Sequence, residues 1–193
     1  MSVPKILVFS GSIRAGSYNT QLAALAAKEL TLADVEVTRI SLADYPLPIY
    51  DPDFDIHTGS PPHALRLRQM IGAHQGVFIA AGEYSASVTP LLKNAIDWVS
   101  HVREGGGPAG AVFRNRVFAI GNCAISRSGG PFALLALRQI LEVGCGALVI
   151  PEQVAIADAA TAFDDMGNIV DVHTKNLFHA ELDRLVEVAR LMM

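Results

Sequence analysis

The chain has 193 residues, 51% of them hydrophobic and 18% charged, with a formal net charge of −4. This length predicts one domain over residues 1–193, and the apolar composition favours a core built on a sheet that is buried on both faces. The negative charge argues against a nucleic-acid partner, which usually needs a basic surface, and every apolar run falls short of the roughly 18 residues that a membrane span requires.

Strands and helices alternate along the chain. Short apolar runs predict five strands, at residues 6–9, 35–40, 76–82, 116–122 and 147–156, the last of them broken near Pro151. Apolar residues at helical spacing predict helices that begin near residues 19, 63, 89, 131 and 175. The segment YPLPIYDPDFD is predicted to hold no regular helix because of its prolines, and REGGGPAG is predicted to be a flexible loop.

This alternation implies a parallel sheet with helices on both faces. Five strands in a chain of this length fit an α/β fold with a flavodoxin-like, doubly wound, five-stranded parallel sheet of strand order 2-1-3-4-5. In such a sheet, ligands bind beyond the carboxyl ends of the strands, near the point where the strand order reverses. The loops that follow the first and third strands are therefore the candidate binding site.

The loop after the first strand, GSIRAGSYNT, combines glycines, hydroxyl groups and one arginine, and a helix follows it. The free N–H groups and the positive dipole end of that helix, together with the guanidinium of Arg14, predict a phosphate site. Short polar side chains in and beside the loop are those of Ser10, Ser12, Ser17, Asn19 and Thr20.

Two known phosphate-binding motifs do not match this loop, which argues against a nucleoside triphosphate or a dinucleotide as the ligand. Gly11 and Gly16 have the spacing of a P-loop, but Ser17 stands where the motif requires lysine, and this loop does not carry the dinucleotide fingerprint G-x-G-x-x-G either. A terminal monophosphate is what remains, with Arg14 as its counter-charge. In the alternative interpretation, Ser17 or Asn19 only caps the helix and Arg14 is solvated.

The loop after the third strand opens the segment AAGEYSASVTPLLKNAIDW and offers the backbone amides of residues 82–87. With the first loop, it resembles the NADPH-dependent FMN reductase family, a flavodoxin-like group. That family's motifs are similar to G-S-x-R-x-x-S-x-N and to P-E-Y-N-x-S-x-P-x-x-L-K-N-A-I-D-W. A weaker similarity is the Gly-Gly step before a helix that contains L-R-x-x-L, at residues 128–130 and 137–141.

The resemblance implies FMN, with its phosphate in residues 11–20, its ring edge against residues 83–87, and residues 122–130 closing over the other side. NADPH or NADH would donate a hydride, and a quinone, flavin, azo compound or metal oxyanion would accept two electrons. No catalytic side chain is implied, because the flavin carries the chemistry. The implied cofactor-binding residues are Ser10, Ser12, Arg14, Ser17, Tyr18, Asn19, Thr20, Gly82, Glu83, Tyr84, Ser85, Ser87, Ser128, Gly129 and Gly130.

Three positions depart from the family pattern, one of them a proline that is shifted here to Pro90, behind Thr89. Gly82 replaces the usual proline and Ser85 the usual asparagine. Because proline stiffens a turn, we expect Gly82→Pro to tighten FMN binding. Glu83 is expected to make a backbone contact and to expose its carboxylate.

The resemblance also implies a homodimer or homotetramer, in which the helix that holds Lys93, Asn94, Asp97 and Trp98 forms part of the contact. That helix is expected to be structural, with Lys93 and Asp97 paired at i,i+4. Two other functions stay open. One is a flavodoxin-type electron carrier, and the other is a non-catalytic flavin-binding sensor.

Cysteine and histidine show no metal-ligand spacing. Cys123 and Cys145 are expected to be reduced, mostly buried thiols of a cytoplasmic protein, since the chain start resembles a first strand and not a signal peptide. Surface or loop positions are expected for His57, His63, His74, His101, His173 and His179.

Overall fold

The computed structural model describes residues 3–102, 108 and 110–193, so most of the predicted REGGGPAG loop lies outside the described residues. Within them, the strands are β1 (Lys5–Ser10), β2 (Glu36–Arg39), β3 (Gly76–Ala80), β4 (Glu83–Tyr84), β5 (Ser87–Val88), β6 (Val117–Cys123) and β7 (Leu148–Ile156). β2, β1, β3, β6 and β7 pair in parallel in that order, which confirms the predicted flavodoxin-like sheet. β4 and β5 form a separate antiparallel hairpin that the sequence analysis missed.

Helices cover both faces of the sheet. They are α1 (Tyr18–Leu32), α2 (Pro52–Thr58), α3 (Pro62–Gly72), α4 (Pro90–His101), α5 (Ala111–Arg114), α6 (Pro131–Gln139) and α7 (Val172–Leu191), with a 3₁₀ turn at Leu42–Asp44 and a π turn at Ile140–Gly144. In the part of the chain that the structure describes, none of these helices is long and apolar enough to cross a membrane.

The core consists of two layers, because successive strand residues point to opposite faces. Ile6 and Val8 of β1 pack with α1 and α7, around Phe178. Leu7 and Phe9 pack with α3, α4, α5 and α6 on the other face. The helix residues predicted to face the sheet are buried as expected, and they are Leu22, Ala23, Ala26, Leu30, Leu92, Ala95, Ile96, Val99, Leu182, Leu185, Val186 and Ala189.

The prediction that the proline-rich segment holds no helix is wrong. α2 begins at Pro52, a first-turn position where proline has no hydrogen bond to lose and its φ angle suits a helix. Asp51 caps the helix, with Oδ1 accepting hydrogen bonds from the N–H groups of Asp53 at 2.9 Å and Phe54 at 3.5 Å. The helix therefore starts at the proline instead of being broken by it.

The predicted break near Pro151 is an irregularity inside one continuous strand. β7 pairs Val149 with Phe118 and Gln153 with Ile120, so β7 advances four residues while β6 advances two. Proline has no N–H to donate to the ladder, and strands usually carry it at such a bulge.

His74 lies in the loop between α3 and β3, as the expected surface or loop positions allow, but it is buried. This residue is 5% exposed, and its ring nitrogens lie 2.6 Å from the Met70 carbonyl oxygen and 2.9 Å from Thr38 Oγ1. The imidazole thus links the end of α3 to β2, a polar contact between segments that are far apart in sequence.

Candidate functional site

A cleft of about 460 Å³ opens beyond the carboxyl ends of β1, β3 and β6. Three loops line it: the first loop (residues 11–17), the second loop (residues 81–89, which contains the β4–β5 hairpin) and the third loop (residues 123–130). This is the edge at which a doubly wound sheet binds ligands. Of the expected cofactor-binding residues, the structure brings together here Ser12, Arg14, Ser17, Tyr18, Asn19, Gly82, Glu83 and Tyr84.

The first loop turns tightly because of its glycines. Gly11 donates its N–H to the Ala80 carbonyl oxygen at 2.8 Å, and a Cβ on Gly11 would overlap the carbonyl oxygen of Ala81. Gly16 has a φ angle of +66° and precedes Ser17, the N-cap of α1. Ser17 Oγ accepts a hydrogen bond from the Thr20 N–H at 3.4 Å. The cap uses the Ser17 hydroxyl as an acceptor, so its hydrogen is still a donor.

Arg14 lies at the rim of the cleft with an exposed guanidinium. Its two terminal nitrogens donate to the carbonyl oxygens of Ala15 and Gly16, each at 3.3 Å. The cation is thereby folded over its own loop, beside the start of α1. The positive end of the helix dipole and the guanidinium thus face the same cleft.

Other polar residues of the first loop hold the loop itself. Ser10 Oγ accepts from the Ser12 N–H at 3.0 Å, and Thr20 Oγ1 donates to the Ser12 carbonyl oxygen at 3.2 Å. The Asn19 side chain pairs with the backbone of Cys123, accepting from its N–H and donating to its carbonyl oxygen, both at 2.9 Å. Ser10 and Thr20 line a neighbouring cleft beside β2.

The second loop turns through strained backbone. Ser85 and Ala86 have φ angles of +49° and +58°, as a two-residue type I′ hairpin turn requires. Tyr84 is 55% exposed at the cleft, whereas Ser87, on the returning strand, faces a different groove beside α6. The hairpin thus directs its first strand, and not its second, at the cleft.

We expect Ala86→Gly to raise the free energy of unfolding by about 0.5–1 kcal/mol. A left-handed conformation costs an L-residue roughly 1–2 kcal/mol, and the extra chain entropy of glycine offsets part of that relief. Urea unfolding measures this free energy, and the dependence of the free energy on urea concentration should stay unchanged. Ala160→Gly, at an exposed turn position without positive φ, is the control and should not be stabilised. A variant no more stable than the wild type would show that the turn is unstrained.

The expectation that proline suits position 82 is wrong for this backbone. Gly82 has a φ angle of +75°, whereas proline holds φ near −65°. Its N–H donates to Asn122 Oδ1 at 2.9 Å, a bond that proline lacks. A Cβ at this position would also lie 2.9 Å from Thr89 Cγ2.

The expected exposed carboxylate of Glu83 needs correction too. Its Oε2 accepts a hydrogen bond from the Ala133 N–H at 2.9 Å, in the first turn of α6. This carboxylate therefore satisfies a helix N-terminus and joins the second loop to α6.

Ser128, Gly129 and Gly130 lie in the third loop but do not line the cleft wall, which residues 123–126 provide. Ser128 Oγ is 3.1 Å from Ser126 Oγ, and the carbonyl oxygens of Gly129 and Gly130 accept from Asn122 Nδ2. These residues therefore support the conformation of the third loop without lining the cleft.

Sequence reasoning missed two residues that organise the site. Asn122 is fully buried between the second and third loops. Thr89 is 2% exposed, caps α4, and donates from Oγ1 to the Gly11 carbonyl oxygen at 2.6 Å, which ties the first loop to the second. The sequence did carry a signal for each: Asn122 is a polar residue at the end of the apolar run RVFAIGN, and Thr89 stands before a proline, where a helix can begin.

The i,i+4 pair predicted for the helix with Lys93 and Trp98 is present, and other residues of α4 bond to the proline-rich segment. Lys93 Nζ lies 2.7 Å from the Asp97 carboxylate. Asn94 accepts from the Tyr50 N–H and donates to the Pro48 carbonyl oxygen, both at 2.8 Å, and Trp98 Nε1 donates to the same oxygen at 2.7 Å. α4 thereby holds the proline-rich segment against the domain.

The cleft contains one thiol, and it is unreactive. Burial raises the pKa of Cys123 to about 12, so the thiol is protonated at neutral pH and is a poor nucleophile. Burial likewise raises the pKa of Cys145, to about 11. Both cysteines are free and buried, as predicted. Among the residues with assigned positions, no three of His, Cys, Asp and Glu cluster in a way that could hold a metal ion.

Comparison with known proteins agrees with this geometry. The sequence profile described as NADPH-dependent FMN reductase matches residues 4–161. An NAD(P)H-dependent FMN reductase of Pseudomonas aeruginosa is 34% identical over 183 residues, covering 94% of this chain and 92% of that one. A 2-hydroxy-1,4-benzoquinone reductase of a Burkholderia species is 31% identical, covering 93% of each.

A solved structure is similar over nearly its whole length. The flavoenzyme NAD(P)H:(acceptor) oxidoreductase FerB of Paracoccus denitrificans superposes with a TM-score of 0.79 at 25% identity, covering 98% of this chain and 99% of that one. The residues matched by the profile include the first, second and third loops completely. The chain belongs to the NADPH-dependent FMN reductase family.

Proposed function

We propose that this chain is an FMN-dependent NAD(P)H oxidoreductase that passes electrons to small acceptors, with quinones as the first class to test. One observation carries the proposal: one cleft has on one side a cationic loop that caps a helix and on the other side the β4–β5 hairpin. Such a cleft suits a ligand with an anionic tail and a flat polar ring. The names of the FMN reductase and benzoquinone reductase relatives support the assignment.

The donors in the cleft fit FMN. We assign the phosphate to the Ser12 and Ser17 hydroxyls, the Arg14 guanidinium and the N–H groups that begin α1. The ring edge is assigned to the hairpin, beside Glu83 and Tyr84. The Gly82 N–H is already bonded to Asn122 and the Tyr84 N–H to its ladder partner Ser87, so we assign the ring to the remaining amides of the second loop.

Bound FMN accepts a hydride from NAD(P)H and supplies two electrons to the acceptor. The residues of the chain hold and orient it and limit access of water. Glu83 accepts a hydrogen bond from the N-terminus of α6 and so has a positioning role, and the Cys123 thiol is protonated at neutral pH and is a poor nucleophile. Tyr84 and Ile125, both exposed at the cleft, offer apolar surface to a planar acceptor.

The purified protein tests the proposal directly. We expect a flavin absorption spectrum, chromatographic release of FMN, and bleaching by NADPH under nitrogen that a quinone reverses. A flavodoxin-type carrier would bind FMN but would not be reduced by NADPH alone, and a flavin-binding sensor would turn over slowly with every acceptor. A protein that binds no FMN after titration would contradict the proposal.

Arg14→Ala is expected to weaken FMN binding by roughly 10- to 150-fold. The estimate follows from about 1.5–3 kcal/mol for a hydrogen bond to a charged group. Fluorescence titration of flavin-free protein measures the dissociation constant. Arg190→Ala, an exposed arginine in the last turn of α7, is the control and should bind as the wild type does. An unchanged constant for Arg14→Ala would mean that the guanidinium stays on its own loop carbonyls, the solvated alternative.

We further propose a single FMN-binding domain that assembles into a homodimer or homotetramer in the cytoplasm. Ile49 and Ile56, in the segment that packs next to α4, are 82% and 77% exposed, and exposed apolar side chains support contact between copies. The free thiols of Cys123 and Cys145 support a reducing compartment. Light scattering of the purified protein measures the assembly, and a monomer would contradict that part of the proposal.

A further inference from the structure

Asn122, near the carboxyl end of β6, is fully buried and uses its side-chain amide on two loops. Its Oδ1 accepts from the Gly82 N–H at 2.9 Å. Its Nδ2 donates to the carbonyl oxygens of Gly129 and Gly130, each at 3.0 Å. Since the partner on one side is a donor and those on the other are acceptors, only one orientation of the amide satisfies them.

The backbone around this amide is shaped to admit it. Gly129 and Gly130 have left-handed φ angles of +70° and +69°, and a Cβ on Gly130 would overlap Asn122 Nδ2. A second bond joins the same regions, from the Ala133 N–H to Glu83 Oε2 at 2.9 Å. The second loop is therefore tied at two successive residues to the segment that begins α6.

Asn122 acts on the cleft only through its neighbours. The second loop contributes Gly82 and Glu83 to the cleft wall, and residues 123–126 contribute the facing wall, while Asn122 is not among the described residues that line it. A change of its side chain therefore alters the site only by moving or loosening the backbone that forms the walls.

We propose that Asn122 is a positioning residue for the flavin ring. By bonding the Gly82 peptide to the Gly129 and Gly130 peptides, it sets the distance between the hairpin and the third loop, and so the width of the slot that receives the ring. It also accepts the Gly82 N–H, so the ring must use other amides of the second loop. This inference rests on the proposed function, because it assumes that FMN binds in the cleft.

Two variants of Asn122 test the proposal. Asn122→Asp keeps the size and the acceptor for Gly82 but sets an oxygen against two carbonyl oxygens, and Asn122→Ala removes both contacts. We expect each variant to raise the FMN dissociation constant about tenfold or more, the effect of losing one such buried hydrogen bond. At saturating FMN, we also expect the visible absorption bands to shift toward those of free FMN, because a loosened slot admits water.

Asn94→Ala is the matched control. Asn94 also spends its side-chain amide on backbone groups, but it lies outside the cleft. It should lower the melting temperature and leave FMN affinity and spectrum unchanged. If the Asn122 variants behave in the same way, Asn122 is structural only and the proposal is overturned. Wild-type binding is measured first, because a wild type that does not bind FMN contradicts the proposed function instead.

A measurement on the wild-type protein tests the proposal even if the Asn122 variants fail to fold. Amide hydrogen exchange is followed at residues 82–84 and 129–133, with and without FMN. The shared side chain predicts that FMN slows exchange in both segments together. Protection confined to one of them would show that the loops are not coupled, and would overturn the proposal.

Discussion

Gly82→Pro is expected to lower the free energy of unfolding by about 3 kcal/mol and to weaken FMN binding. The loss of the Gly82 N–H leaves Asn122 Oδ1 buried without its donor, which costs about 1–3 kcal/mol. The φ angle of +75° must also change sign, so the second loop cannot keep its path. Urea unfolding and FMN titration of the variant measure the two effects.

Two alanine variants separate the causes. Gly59→Ala, at φ +78° and ψ 168°, adds a Cβ that meets no atom within 4 Å, so it reports the cost of an L-residue at a positive φ angle without a clash. Gly82→Ala keeps the N–H and adds the contact with Thr89 Cγ2. We expect Gly82→Pro to be less stable than Gly82→Ala, which keeps the N–H that Asn122 accepts. A proline variant at position 82 as stable as the wild type, with tighter FMN binding, would show that this turn adopts another conformation.

Glu181→Gln is expected to stabilise the protein increasingly as the pH rises. Glu181, on α7, is completely buried against the irregular pairing of β6 and β7. The N–H groups of Ile120 and Val154 are directed at its carboxyl, but neither carboxyl oxygen has a hydrogen bond of ordinary geometry. Burial raises the pKa of this carboxyl well above its usual value, an effect that the nearby Arg138 opposes and Glu152 reinforces.

The sign of the pH dependence follows from that shift. Above the unfolded pKa of 4.5, the unfolded chain ionises Glu181 while the folded chain keeps the carboxyl protonated, so unfolding releases a proton. The wild type therefore loses about 1.4 kcal/mol of stability per pH unit up to the folded pKa, relative to a glutamine variant that cannot ionise. Below pH 4.5 the carboxyl is protonated in both the folded and the unfolded chain, so the wild type loses no stability from Glu181.

Urea unfolding between pH 4 and pH 9 measures the difference between the wild type and Glu181→Gln. Asp183→Asn, an exposed carboxylate on the same helix, is the control and should run parallel to the wild type. A difference between Glu181→Gln and wild type that does not change with pH would mean that the carboxylate is ionised in the folded protein.

The elements that depend on local pattern were predictable. The five sheet strands, the strand order and the buried faces of α1, α4 and α7 followed from runs and spacing of apolar residues, because burial of those faces is what forms the sheet and its covering layers. The loop positions followed as well, since the carboxyl ends of parallel strands share one edge. The β4–β5 hairpin was missed because its strands have two residues each and its turn lacks the usual glycine or asparagine.

The amino-acid sequence by itself determined which segments form the sheet, at which edge of the sheet the cleft lies and which family motifs surround the cleft. Only the tertiary structure decided which polar groups remain free there. Asn19 pairs with Cys123, Thr89 with Gly11, and Asn122 with Gly82, and each bond joins residues from 40 to 104 positions apart. A hydrogen bond between distant segments depends on distance and direction in space, and spacing along the chain carries no record of either.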